Sequence, residues 1–313
     1  MDERGRRDKQ RPQEDRSFAS VGQLPVRVRR LRDLAHRAAE IVWAMAMVQR
    51  PIRRGPRHGL DRELVVSLTS YPRRFPTLHL TLRSLLSQSV SPDRLVLWIA
   101  HDDFAKLPPK VTNLVPRGLK IRGCEDLRSF KKIVPALKAF PEAYIVTADD
   151  DVYYPRRWLK GLVDAAMPGT SDIVAHTVRR PVYVESALAP IETWEMNAVD
   201  SATQRASDDL FPVGVAGTLY PPSAFHPEVS DSEVFTKLCP TCDDSWFAWM
   251  ARRQGTLVRR SASPKWTRFI AWSGTNAGSL AAENFAISGD ALMQDTIQRR
   301  LSDHFGPLNR LKR

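Results

Sequence analysis

A chain of 313 residues, 42% hydrophobic and 26% charged, is long enough for one large α/β domain or two ordinary ones, and its mean hydropathy of -0.34 excludes a membrane-spanning bundle and a wholly disordered polymer. The formal net charge of +12 would point to a nucleic-acid partner only if it were spread over the fold. Residues 58–298 hold 27 basic and 27 acidic side chains, whereas 27–57 hold nine and two and 299–313 hold five and one, so a neutral body carries basic ends and no nucleic acid is expected.

Residues 1–57 read as a basic, partly disordered arm. Within it, residues 31–48 (LRDLAHRAAEIVWAMAMV) have high helix propensity and an apolar half that includes Trp43, with arginines on either side from Arg27 to Arg57. Such a helix suits an anionic membrane surface; a helix packed on the body, or a solvated tail, would show the same pattern. The uninterrupted apolar run Ile41–Val48 is eight residues, against the roughly 18 to 20 that span a bilayer, so no transmembrane helix is expected. The mostly polar stretch before it is a poor match to a signal peptide. The expected location is cytoplasmic, peripheral on the inner face of the plasma membrane if the arm docks. Three cysteines, Cys124, Cys239 and Cys242, are too few for a disulfide framework and suit a reducing compartment.

From residue 64, short β-rich runs alternate with amphipathic helices, the pattern of βαβ units and a mostly parallel central sheet flanked by helices. Strands are predicted at Val65–Thr69, Leu95–Ala100, Leu119–Arg122 and Tyr144–Ala148. Helices are predicted at Thr77–Gln88, where Leu78, Leu82, Leu85 and Leu86 share a face, and at Ser129–Phe140, with Pro155 opening a third. Past residue 170 come a strand at Ile173–His176, the run Gly214–Pro222, a helix at Asp243–Gln254 and a last helix near Leu280–Leu301. Residues 299–313 read as a basic tail.

The strand at Tyr144–Ala148 runs into Asp149, Asp150 and Asp151. Three adjacent negative charges repel unless a cation sits among them, and ligands of open α/β sheets bind beyond the carboxyl ends of the strands. Alternation along extended chain pairs Asp149 with Asp151 and turns Asp150 away. These oxygen donors suit Mg2+ or Mn2+ bridging a diphosphate; a helix cap is the plainer alternative. Lys131 and Lys132 open a predicted helix, where an anion such as pyrophosphate would offset their opposition to its dipole. Ser70, Tyr71 and Arg74 follow the first strand, where a base and ribose could sit, or where Pro72 simply makes a turn. Asp102 and Asp103 read as surface residues. Asp243 and Asp244 begin a helix, where carboxylates also favour the dipole. Trp194, Trp246, Trp249, Trp266 and Trp272 offer either sugar-stacking faces or core.

Taken in order, these segments resemble glycosyltransferases of the nucleotide-diphospho-sugar transferase fold (GT-A), particularly bacterial family 2-like enzymes of polysaccharide assembly, over roughly residues 64–260. Asp149–Asp151 resembles their Asp-x-Asp motif, and residues 65–74, 82–88, 93–99 and 125–137 are similar to the segments around it. The resemblance implies a metal-dependent, inverting transfer of sugar from a nucleotide-diphospho-sugar, with a UDP-sugar the expected donor, to a hydroxyl of a glycan or glycolipid in surface polysaccharide or glycolipid assembly. It implies Asp149 and Asp151 on the metal, with Ser70, Tyr71, Arg74, Lys131, Lys132 and Asp150 around the donor. Asp244 would be the general base, with Asp243 orienting or binding the acceptor. Residues 58–170 would be the nucleotide-binding half and 171–298 the acceptor half, the glycine run lining the sugar pocket.

Two features depart from that pattern. Cys239-x-x-Cys242 has the spacing of half a zinc site or a redox pair, with no second pair. Thr177 interrupts a His-Arg pair that would begin at His176. Two rival readings remain. A sugar-phosphate nucleotidyltransferase would want a glycine-rich loop where Thr69-Ser70-Tyr71-Pro72 stands. A catalytically silent, membrane-docked scaffold would tolerate loss of Asp151 and Asp244.

Overall fold

The computed structural model describes residues 26–308, apart from 167–168, 170, 186, 263–269, 273–285 and 289–290. Trp266, part of the last predicted helix, and the tail beyond residue 308 therefore lie outside the described residues. In chain order the first half contains α1 (Val26–Gln49), β1 (Leu64–Thr69), α2 (Phe75–Leu86), β2 (Arg94–Ala100), α3 (Pro109–Thr112), β3 (Leu119–Cys124), α4 (Val134–Ala139), β4 (Tyr144–Thr147), β5 (Val152–Tyr153) and α5 (Trp158–Ala165). The second half contains β6 (Ile173–Arg179), β7 (Tyr183–Val184), β8 (Ala187–Leu188), β9 (Phe211–Tyr220), α6 (Ser232–Leu238), α7 (Asp243–Gln254), β10 (Val258–Arg260), β11 (Ile270–Ala271), β12 (Ile287–Ser288), β13 (Ala291–Leu292) and α8 (Met293–Phe305).

Seven strands join in the order β10-β6-β9-β4-β1-β2-β3. The expected mostly parallel α/β sheet is present: β3, β2, β1 and β4 run parallel, as do β6 and β10. Only β9 runs against both its neighbours, with Tyr220 opposite Ile145 and Leu219 opposite Val174. A parallel sheet must be covered on both faces. Leu64, Val66 and Leu68 of β1 pack with Leu78, Leu82 and Leu85 of α2, while Val65, Val96 and Ile145 meet Ala136 of α4 on the other face. Further along, Trp246, Phe247, Trp249 and Met250 of α7 pack with Ile297 and Leu301 of α8. Trp194, Trp246, Trp249 and Trp272 are all buried core rather than open stacking faces.

The glycines of β9 have separate causes. Gly217 sits at φ +96°, and a Cβ there would stand 2.5 Å from the Trp158 ring, whose Nε1 donates to the Ala216 carbonyl at 2.6 Å. Gly217→Ala is expected to cost about 2–4 kcal/mol, since strain and overpacking add. Gly255→Ala at the end of α7, with φ +83° but nothing within 4 Å, should cost only about 1 kcal/mol of backbone preference. Urea unfolding of both variants checks the difference.

The chain divides after Glu40 into two compact units. In the first, the described residues are helical, and Leu34 is exposed. Residues 41–57, expected to belong to the arm, lie in the same unit as the sheet: Ala44 and Val48 are buried with Leu80, Tyr153 and Trp272. Arg83 donates from Nε to the Val48 carbonyl at 2.6 Å and from Nη2 to that of Arg50 at 3.1 Å, satisfying groups at the end of α1. Among the described residues, no helix is long and apolar enough to cross a membrane.

Candidate active site

The three aspartates do not continue the strand. β4 stops at Thr147 and the chain turns at Asp150 and Asp151, so the expected pairing of Asp149 with Asp151 gives way to three separate partners. Asp149 faces Lys132, whose Nζ is 3.4 Å from Oδ1. Asp150 Oδ2 accepts from Ser70 Oγ at 2.5 Å. Asp151 forms an ion pair with Arg74, from the 3-10 turn Pro72–Arg74 that follows β1. Ser70 and Arg74 are buried, while Tyr71 is exposed with its Oη accepting from Arg74 Nε at 3.4 Å.

Groups of α2 and of residues 153–159 hold this turn from behind. Thr81 Oγ1 donates to the Asp150 carbonyl at 2.9 Å and accepts from Trp272 Nε1 at 2.9 Å. The Asp149 N–H donates to Tyr154 Oη at 2.7 Å, and the Tyr154 N–H donates in turn to Ser84 Oγ at 3.1 Å. Buried Gln88 donates to the Pro155 carbonyl at 3.1 Å and accepts from the Leu159 N–H at 3.0 Å. Ser84 and Gln88, two of the polar positions of the stretch 82–88, therefore brace the chain that follows the acidic turn.

Lys132 comes from a 3-10 turn, Arg128–Lys132, not from the opening of a helix as expected. Ile133 breaks the path at φ -122°, and α4 starts at Val134 with Pro135 in its first turn. The position of Lys132 is set through β1: Trp98 Nε1 donates to Ser67 Oγ at 3.0 Å, and Ser67 Oγ donates to the Lys132 carbonyl at 2.6 Å. Lys131 is also buried but pairs with Asp126 at 2.6 Å, so it does not join the aspartates.

The second acidic pair closes on the same lysine. Asp243 Oδ2 is 2.8 Å from Lys132 Nζ, and the Gly214 N–H donates to the Asp244 carboxylate. A Cβ on Gly214 would stand 2.5 Å from Asp244 Oδ1 and 3.5 Å from Lys132 Nζ, so this glycine gives the groups room. The first turn of α7 thus places two carboxylates against the carboxyl end of the sheet, while Arg252 and Arg253 occupy its last turn and complement its dipole.

Buried negative charge dominates the electrostatics. Burial, reinforced by Asp243, raises Asp244 to about 6 despite the opposing charge of Lys132. Burial raises Asp149, with Lys132 opposing, and raises Asp150 to about 7, with the Ser70 hydrogen bond opposing. Burial works to lower Lys132, but Asp243, Asp149 and Asp244 together hold it well above its ordinary value. Because the folded Asp150 binds its proton more tightly than an unfolded aspartate, its contribution to stability is present in acid and is lost as pH rises from about 4 to about 7. Asp150→Asn is expected to raise the thermal midpoint by several degrees at pH 8 and not at pH 4, as a calorimetric pH series would show.

Arg179 escaped sequence reasoning. It ends β6, three residues beyond His176, and burial lowers its pKa while Asp244 raises it. An arginine at the end of a buried strand was the available signal. His176 itself lies inside β6 as a core residue: its Nε2–H donates to the Trp158 carbonyl at 3.0 Å and its Nδ1 accepts from Ser261 Oγ at 2.6 Å. Burial lowers it to about 4, so it carries no charge at neutral pH. The cysteines are free and buried, and burial raises Cys124 to about 11 and Cys242 to about 12. Asp102 is exposed and Asp103 pairs with Lys106 at 2.8 Å, as surface residues do.

No protein-family model and no curated protein sequence matches the chain. Among solved structures, it is similar to a mannosyltransferase from Pyrobaculum calidifontis in complex with GDP-Man and Mn2+, at 15% identity and a TM-score of 0.43, covering 74% of this chain and 66% of that one. It is also similar to glucosyl-3-phosphoglycerate synthase from Mycobacterium tuberculosis with Mn2+, UDP and phosphoglyceric acid, at 15% identity and a TM-score of 0.29, covering 40% of this chain and 50% of that one. A third is the inositol-1-phosphate CTP transferase from T. maritima, at 10% identity and a TM-score of 0.34, covering 78% of this chain and 98% of that one. The chain thus spans just under two thirds of the first of these and half of the second. With TM-scores below 0.5 these likenesses say nothing of this chain's chemistry, which rests on its own residues.

Those residues fit a hard divalent cation by donor type, since Asp149 and Asp151 offer only carboxylate oxygens. Among the described residues, no three His, Cys, Asp or Glu side chains stand in a metal-holding arrangement. Lys132 and Arg74 supply the positive charge next to Asp149 and Asp151.

Proposed function

We propose that this chain is a metal-dependent glycosyltransferase, moving a sugar from a nucleotide-diphospho-sugar to a hydroxyl of a glycan or glycolipid. The observation that carries this reading is the meeting of two acidic pairs at one buried lysine: Asp149 from the donor side and Asp243 from the acceptor side both face Lys132 Nζ. A sugar hydroxyl is a poor nucleophile at neutral pH, and on this reading Asp244, ionised above about 6, takes its proton. Asp243, tied to Lys132, orients the acceptor. Arg74 and Lys132 offset diphosphate charge, with Ser70 and Tyr71 beside the nucleotide. Mg2+ or Mn2+ on Asp149 and Asp151 would stabilise the departing nucleotide diphosphate. A base on the face opposite the leaving group makes the reaction inverting. UDP is the expected nucleotide, and surface polysaccharide or glycolipid assembly at the cytoplasmic side of the membrane the expected setting.

The turn Pro72–Arg74 holds a buried arginine but no glycine, which disfavours the phosphate loop of a nucleotidyltransferase. The test is thermal unfolding of the full chain with UDP, GDP, CDP and TDP, each with and without Mn2+, for wild type and Asp151→Ala. A nucleotide at a hundred times its dissociation constant should stabilise by about 2.7 kcal/mol, roughly 5–10 °C here. The shift should require Mn2+ and Asp151. A shift indifferent to both, or none with any nucleotide, would sink the donor-site reading; pyrophosphate release from a nucleoside triphosphate would replace it with nucleotidyl transfer.

A further inference from the structure

We infer that the face built by the end of α1 with α2 and α3 is a docking surface for an anionic phospholipid bilayer, with lipid phosphates seated in two basic cavities. This inference does not depend on the glycosyl-transfer reading. A cavity of about 570 Å3 is lined by His79, Arg83, Lys110 and Arg117, and a second of about 360 Å3 by Arg50, Arg53, Arg83 and Arg156. No carboxylate lines either one.

Elsewhere on this unit Arg62 pairs with Glu142, Arg94 with Glu63, and half-buried Arg180 with Glu195 and Asp200, while exposed Arg73, Arg157 and Arg205 form no ion pair among the described residues but line neither cavity. The cavities differ in gathering several such cations on one concave face. Around the cavities, and among the described residues, none of Arg50, Arg53, Lys110, Arg117 and Arg156 is in an ion pair, and all five are exposed. Burial and then the Lys110 charge hold His79 below its ordinary value, in keeping with a positive field. Unmatched cations facing a concave surface gain most from phosphate.

The apolar neighbours favour a bilayer over a nucleic acid. Val42, Trp43 and Met45 are 69%, 49% and 38% exposed on the outer side of α1, while Ala44 and Val48 are buried beneath. Trp43 meets Tyr153 edge-on at 5.5 Å, and Tyr153 lines the second cavity. An apolar wedge beside phosphate-binding cations matches the boundary between acyl chains and headgroups.

The experiment is flotation of the full chain with vesicles of phosphatidylcholine alone, or with about 30% phosphatidylserine. Retention should be at least tenfold higher on the anionic vesicles and fall away at about 0.5 M salt. The variant K110E/R117E/R156E should lose at least tenfold of that retention, and K110E alone a smaller part. The variant K138E/R205E/K237E, with the same charge change at positions lining neither cavity, should stay within about threefold of wild type. Equal retention on neutral vesicles, no retention, or equal loss in both triple variants would overturn the inference. So would preferential capture by DNA, or release from vesicles by about 10 mM inorganic phosphate at constant ionic strength, which would mark a free-phosphate site.

Discussion

Replacing Lys132 with methionine is expected to lower the stability of the fold by about 3–5 kcal/mol at pH 8, a fall of roughly 10 °C in thermal midpoint. The side chain is 9% exposed and stands between Asp149 and Asp243. Methionine fills the space but leaves the carboxylates as buried negative charge with no cation among them. The loss should shrink toward pH 5, where Asp244, at about 6 even in the presence of the lysine, is protonated and the repulsion is relieved. Denaturant unfolding at the two pH values checks both the size and the trend. A loss under 1 kcal/mol at pH 8 would mean that water, not Lys132, compensates these groups. Lys132→Arg should recover part of the stability, because it keeps the charge but places it less well.

The second large effect is catalytic. Asp244→Asn removes the proposed base but keeps the shape and the acceptor for the Gly214 N–H, so kcat should fall by roughly 10^2- to 10^4-fold while nucleotide-induced stabilisation is retained. In wild type the rate should rise with pH through about 6 and level off above, since only the ionised carboxylate accepts the acceptor's proton. Asp150, at about 7, titrates nearby, so the control is Asp150→Asn, which should keep the limb near 6 that Asp244→Asn abolishes. Unchanged turnover in Asp244→Asn would remove the base assignment and favour the silent scaffold.

The fold was readable where periodicity and burial coincide. β1, α2 and β2 fall within about two residues of their expected bounds, and α7 matches at both ends because Asp243 and Gly255 mark its limits chemically. The direction of β9 was not readable: a strand buried on both sides carries no signature of which way it runs. The helix expected from Ser129 failed although Pro135 marks a helix start, because apolar spacing across Phe130, Ile133 and Val134 fits a 3-10 turn as well. At the site, the acidic clusters stood out as charge in apolar surroundings. Their partners did not, since the sequence separates Lys132 from Asp243 by more than a hundred residues and gives no register between α7 and β4. The alternation rule misassigned the aspartates because it presumes extended chain, and the chain turns at Asp150.

Because Lys132 answers to both halves, their titrations form one linked system. Neutralising Asp149, whether by a proton or by any bound cation, frees Nζ to favour Asp243 and Asp244 and makes Asp244 a stronger acid. By thermodynamic reciprocity, an ionised Asp244 tightens the hold on whatever neutralises Asp149. Near pH 6 an Asp149 with nothing to neutralise it therefore leaves part of Asp244 protonated; under the proposed function, filling the donor side would ready that base for the hydroxyl it is to receive.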